Sequence, residues 1–132
     1  MIVAAALLDR SADRPGRASR VLLVDGDDVT RRAVSGALRA AGLEVTAVAA
    51  DHQALAVLVS MQPDVLVTDL RANGLELVRT LRVRDVDVPV LAVGSWMDRV
   101  AAFQAGADAF LATPFGPADL LSRVAELADP RG

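Results

Sequence analysis

With 132 residues, 53% of them hydrophobic, the chain is long enough for one domain with its own core and short for two. Cysteine is absent and His52 is the single histidine, which excludes disulfides, thiolate catalysis and a metal centre built from Cys or His. The net charge of −3 argues against nucleic acid as a direct partner, because phosphate binding needs a basic patch; all the basic residues are arginine, with no lysine.

Met1 to Leu8 is apolar but too short to span a bilayer, and it lacks the basic start of a secretory signal. A cytoplasmic protein with no membrane partner is therefore expected. Residues 9–20 are polar and contain Pro15 and Gly16, so they read as flexible. The expected organisation is a leader over 1–19, one domain over 20–129 and a tail over 130–132.

The first strand is expected at Val21-Leu22-Leu23-Val24, apolar on both faces as interior strands of a parallel sheet are. Asp27 or Asp28 can cap a helix carrying Ala33, Val34, Ala37, Leu38 and Ala41, which Gly42 stops. Leu43 to Val48 alternates apolar and polar, with Glu44 and Thr46 on one side, the pattern of an edge strand. Asp51 is expected to cap a second helix to about Met61, with Leu55, Leu58 and Val59 inward, and His52 reads as a solvated residue at its start. Pro63 precedes a second doubly apolar strand, Val65-Leu66-Val67. A third helix over Leu75 to Arg84 turns Leu77, Val78 and Leu81 inward.

Pro89 opens a strand over Val90 to Val93. Asp98 to Ala105 reads as a short helix ended by Gly106, and Ala109 to Ala112 as the last strand. Gly116-Pro117 opens the final helix, with proline at its favoured first position and Leu120, Leu121 and Val124 as the apolar stripe. Five alternating βα units imply an α/β fold: a doubly wound, five-stranded parallel sheet of flavodoxin-like order 2-1-3-4-5, in three αβα layers.

In such a sheet, ligands gather beyond the carboxyl ends of the strands. The residues there are Asp25, Gly26, Asp27 and Asp28, then Asp69, then Gly94 and Ser95, then Thr113, Pro114 and Phe115. Asp25 and Asp69 should lie close, where two carboxylates repel and favour a cation; an all-oxygen donor set points to Mg²⁺. Asp27 and Asp28 are equally readable as helix caps.

VLLVDGDD, VLVTDL, PVLAVGS and GADAFLATPF together resemble the bacterial response-regulator receiver domain, over about Arg20 to Asp129. The resemblance implies Mg²⁺-dependent phosphoryl transfer from a histidine kinase to Asp69. It implies metal binding by Asp25, Asp69 and the carbonyl of Arg71. It aligns Thr113 with the family's lysine, Gly94 with its switch Thr/Ser and Phe110 with its aromatic switch. It also implies a cis bond at Thr113-Pro114 and a partner or dimer face along the fourth helix, fifth strand and fifth helix.

The chain departs from that pattern at the site. Gly26 stands where the family has its second acid, with Asp27 a partial substitute one residue on. Thr113 replaces the lysine, leaving Arg71 or Arg99 as candidate sources of charge, though a planar guanidinium is no simple replacement for a point cation. The switch hydroxyl is missing at Gly94, with Ser95 one residue later. The loops after Asp69 and after Gly94 are each about three residues short of the family's usual length. Trp96, Met97 and Phe103 fall on or near the short fourth helix; Trp96 either anchors an interface or folds over the vacated pocket.

These departures lead to an expected stand-alone, atypical receiver that acts by protein–protein contact, with Mg²⁺ binding weak or lost and Asp69 phosphorylated weakly or not at all. It would not be an enzyme beyond, at most, weak phosphoryl transfer to its own Asp69. Two alternatives stand beside this: a working phospho-receiver whose Mg²⁺ site Asp27 completes, and a pseudo-receiver holding a small molecule beside Asp25 and Trp96.

Overall fold

The computed structural model describes residues 19–129, so the leader expected over 1–19, Ser19 apart, and the tail expected over 130–132 lie outside the described residues. Five strands, β1 (Arg20–Val24), β2 (Glu44–Val48), β3 (Val65–Asp69), β4 (Val90–Gly94) and β5 (Ala109–Ala112), form one parallel sheet in the order β2-β1-β3-β4-β5. The helices are α1 (Asp28–Ala40), α2 (Asp51–Met61), α3 (Gly74–Val83), α4 (Arg99–Ala105) and α5 (Pro117–Ala128). The fold class and strand order are those the sequence led us to expect.

The two-residue alternation of each strand divides the core. Val21, Leu23, Val65, Val67, Leu91 and Val93 face α1 and α5, where Val34, Leu38, Leu120 and Val124 meet them. Leu22, Val24, Leu66, Val90 and Ala92 face α2, α3 and α4, against Leu58, Leu77, Val78 and Leu81. The three interior strands are buried on both sides, while β2 exposes Glu44 and Thr46 at the sheet edge. Phe110 is buried in the second of these layers, on β5.

Two expectations fail at α2. Asp51 does not cap it: Ala50 holds the cap position, and the Gln53 side-chain oxygen accepts from the Ala49 and Ala50 amides, both at 3.0 Å. This is the reach-back half of a capping box, in which the side chain at the third helical position accepts from the cap residue's own amide. Val59 is 79% exposed rather than inward, because it follows Leu58 on the helix and adjacent residues point about 100° apart.

Gly42 ends α1 in the left-handed region at φ 92°. Gly106 ends α4 at φ 116°, and a Cβ there would lie 2.6 Å from Arg82 Cγ, so glycine is required twice over. Arg82 itself joins α3 to the β4 and β5 ends, donating to the carbonyls of Gly106 (3.0 Å) and Val86 (2.7 Å) and to Asp108 (2.9 Å). Asp108 in turn accepts from the Val90 amide at 2.8 Å.

Candidate functional site

In-register pairing brings the carboxyl ends of β1, β3, β4 and β5 to one rim: Val24 pairs with Thr68, Asp69 with Val93 and Gly94 with Ala112. Asp25 follows β1 directly and Asp69 ends β3; they are 3% and 4% exposed. With Gly26, Asp27 and Arg71 they line an open cleft of about 350 Å³.

The loop backbone already uses much of this oxygen. Asp25 accepts from the Asp27 amide at 2.9 Å. Asp27 caps α1, accepting from the Thr30 amide at 2.8 Å, and its hydrogen bonds to Thr30 hold its carboxyl below the ordinary range. Asp28, in the first turn of α1, is paired with Arg31, which also donates to the Asp25 carbonyl at 2.9 Å. Arg31 therefore ties the end of β1 to α1, a role the sequence did not disclose.

Asp69 is held on both oxygens by Arg71. Its Oδ1 accepts from the Arg71 amide (2.8 Å) and Nε (3.1 Å), and its Oδ2 from Nη2 (2.7 Å). The bond and charge of Asp69 push the Arg71 guanidinium further up. The sequence assigned Arg71 a carbonyl ligand role and named it as a source of charge; its side chain proves to be the cation at Asp69. Arg99 does not reach the site. Its guanidinium lies 5.8 Å from the Trp96 ring and 5.1 Å from the Phe103 ring.

The hydroxyls are engaged elsewhere. Thr113 Oγ1 donates to the Gly94 carbonyl at 3.3 Å, and the Thr113-Pro114 bond is cis, as the resemblance implied. Ser95 Oγ accepts from the Met97 amide at 3.3 Å, capping the 3₁₀ turn Trp96–Asp98. Trp96 and Met97 are 69% and 89% exposed, and Trp96 is not among the residues lining the cleft.

A Cβ at Gly94 would lie 3.1 Å from both Leu70 Cδ1 and Asp98 Oδ2. Gly94→Thr, which would return a hydroxyl, is therefore expected to overpack the site and cost about 1–3 kcal/mol. Denaturant titration of this variant checks it; an unchanged midpoint would mean that Leu70 yields freely.

The donors as arranged do not fit a divalent ion. Both Asp69 oxygens are taken by Arg71, Asp25 accepts from a backbone amide, and Gly26 supplies no side chain. Among the described residues no group of three or more His, Cys, Asp or Glu could hold a metal. No step through Mg²⁺ follows from this geometry.

Burial raises the Asp25 carboxyl above its ordinary 3.8, and the Asp69 charge adds to this. A carboxyl raised by folding contributes stability fully below 3.8 and loses it as pH climbs through the folded value. Asp25→Asn keeps an oxygen for the Asp27 amide without the buried charge. It is expected to melt higher than wild type at neutral pH, with the difference vanishing below about pH 3.8. Melting curves across pH 3 to 7 test this; a lower Tm for the variant at pH 7 would refute the sign.

A family model described as response regulator receiver domain matches residues 21–125. PrrA, a transcriptional regulatory protein of Mycobacterium tuberculosis, is 38% identical over 119 residues, covering 86% of this chain and 51% of the relative. The response regulator MprA of Mycobacterium avium is 37% identical over 114 residues, covering 82% and 50%. The chain thus spans about half the length of these curated relatives. Among solved structures, the chemotaxis response regulator CheY4 of Vibrio cholerae superposes with a TM-score of 0.76 at 29% identity, over 83% of this chain and 98% of that one. The receiver domain of sensor histidine kinase PA1611 of Pseudomonas aeruginosa, solved with magnesium in its active-site cleft, gives 0.77 at 28%, over 84% and 98%.

Proposed function

The chain belongs to the response-regulator receiver family, and from that premise we propose that it signals chiefly through protein contact, with little or no phosphorylation of Asp69. One observation carries this reading. Thr113 and Ser95 commit their hydroxyls elsewhere, the first to the Gly94 carbonyl and the second to its own turn, and position 94 has none to offer. Phosphoryl transfer is accelerated by positioned cations and donors, and a phosphorylated state is read by a hydroxyl that follows the phosphate. Here a phosphoryl group on Asp69 would find neither the lysine nor the switch.

The working phospho-receiver loses support because Asp27 is committed to capping α1. The small-molecule reading loses support because Trp96 points to solvent. The contact surface we propose runs along the 3₁₀ turn and α4, where Trp96, Met97, Val100 and Phe103 are exposed beside Arg99. Aromatic and arginine side chains together are the usual anchors of protein interfaces. The partner is a histidine kinase or a downstream regulator, or a second copy of this chain through the α4–β5–α5 face. A cytoplasmic location goes with the receiver reading; separately, no helix among the described residues is long and apolar enough to cross a membrane.

The test exposes the protein to beryllofluoride with Mg²⁺ and follows amide chemical shifts around Asp69 and along α4. Absence of saturable shifts supports phosphate-independent action. Asp69-dependent shifts that propagate to α4 would overturn it.

A further inference from the structure

Two consecutive residues stand against Asp69 and Gly94 at this site. Leu70 and Arg71 follow Asp69 directly in one 3₁₀ turn, Leu70–Ala72. The turn is closed by Asn73 in the left-handed region (φ 61°, ψ 30°) and by Gly74, the first residue of α3. A Cβ at Gly74 would sit 2.9 Å from the Asp69 carbonyl oxygen and 3.0 Å from Thr68 Oγ1. Only glycine lets α3 begin this close to the end of β3, so the short loop and Gly74 are one device. The Arg71 backbone is thereby held beside Asp69, whose Oδ1 accepts from its amide at 2.8 Å.

We propose that this turn is an internal plug, with the Arg71 guanidinium occupying the place of a divalent cation at Asp69 and Leu70 filling the space beside Gly94 where a switch hydroxyl would stand. Both halves rest on distances. Arg71 makes a two-pronged pair with Asp69, at 3.1 and 2.7 Å, while Leu70 lies 3.1 Å from the position a Cβ of residue 94 would take. A tethered ligand two residues away acts at high effective concentration, so a free cation must displace it rather than simply bind. Arg71 is 67% exposed in its side chain but Asp69 is buried, so the guanidinium covers the Asp69 oxygens from the solvent side of the open cleft. The site thus takes a guanidinium as its resident ligand, and a divalent metal is the competitor. The plug deepens the phosphate-independent reading, since it would hold the domain in one state whatever phosphoryl donors are present.

Manganese titration without any phosphoryl donor tests the plug separately from phosphorylation. Mn²⁺ binding, read by electron paramagnetic resonance, is expected to tighten about tenfold in Arg71→Ala relative to wild type, as a bidentate competitor is removed. Arg71→Gln, which keeps a polar side chain of similar length, should behave likewise if the alanine variant folds poorly. Adding Asp69→Asn to either variant should abolish the gain. Wild-type protein gives an independent reading: the Arg71 Nε–H resonance, assigned by its loss in Arg71→Gln, should not move at millimolar Mg²⁺. Equal Mn²⁺ affinity in wild type and both variants, or displacement of that resonance by Mg²⁺, would overturn the plug. Beryllofluoride shifts at Asp69 alongside the tenfold gain would instead overturn the phosphate-independent reading and leave the plug standing.

Discussion

Incubated with acetyl phosphate and Mg²⁺, Asp69 is expected to be labelled roughly four orders of magnitude more slowly than a receiver that carries the lysine and the hydroxyl. The phosphoryl group in flight spreads negative charge over its peripheral oxygens, and catalysis consists of cations and donors already aimed at them. Loss of one such group typically costs about 3–4 kcal/mol in the transition state, and two are missing here, at Gly94 and Thr113. Two losses sum to about 6–8 kcal/mol if independent; groups that act as a unit sum to less, which brings the expectation down toward four orders. Arg71 acts against recovery, because it must leave the Asp69 oxygens before either can attack phosphorus. Intact-mass spectrometry over hours, with Asp69→Ala as the blank, measures the rate. Stoichiometric labelling within minutes would show that Arg71 serves as the gripping cation rather than as an obstacle.

Leu66→Ala is expected to cost about 2–5 kcal/mol and to lower Tm by about 8–20 °C, at about 4 °C per kcal/mol for a domain of this size. Leu66 is fully buried on β3, the strand between β1 and β4, and lies in the layer formed by α2, α3 and α4. Its neighbours are held by hydrogen bonds on both sides, so the sheet cannot close over the vacancy, and cavity cost adds to lost burial. A domain stability of about 5–15 kcal/mol leaves little margin for such a loss. Val59→Ala supplies the contrast: the side chain is exposed, and a change within about 0.5 kcal/mol is expected. Thermal melts of both variants check the pair. Equal effects at the two sites would contradict the layer assignment.

Much of this protein was legible before any coordinates. Doubly apolar runs at Val21–Val24, Val65–Val67 and Val90–Val93 suited interior strands and the alternating Leu43–Val48 an edge, which agreed with the order 2-1-3-4-5 that alternating βα units of a doubly wound sheet imply. Strand ends placed Asp25 and Asp69 at one rim for the same reason. Asp51 and Val59 were misplaced because capping and facing depend on a single residue's position along a turn: α2 starts one residue earlier than expected, at Asp51 itself, and Gln53 reaches back to the Ala49 and Ala50 amides.

The sequence by itself determined the sheet and the rim, because burial periodicity is a local property; the list of missing groups came from its resemblance to the receiver family. Tertiary structure alone decided what took their place. A missing lysine and a shortened loop look like two independent losses along the chain. In three dimensions Leu70 lies against Gly94 and Arg71 folds onto Asp69. That outcome depends on a left-handed Asn73, a glycine at 74 and the approach of two strands, a set of distances that no window of residues contains.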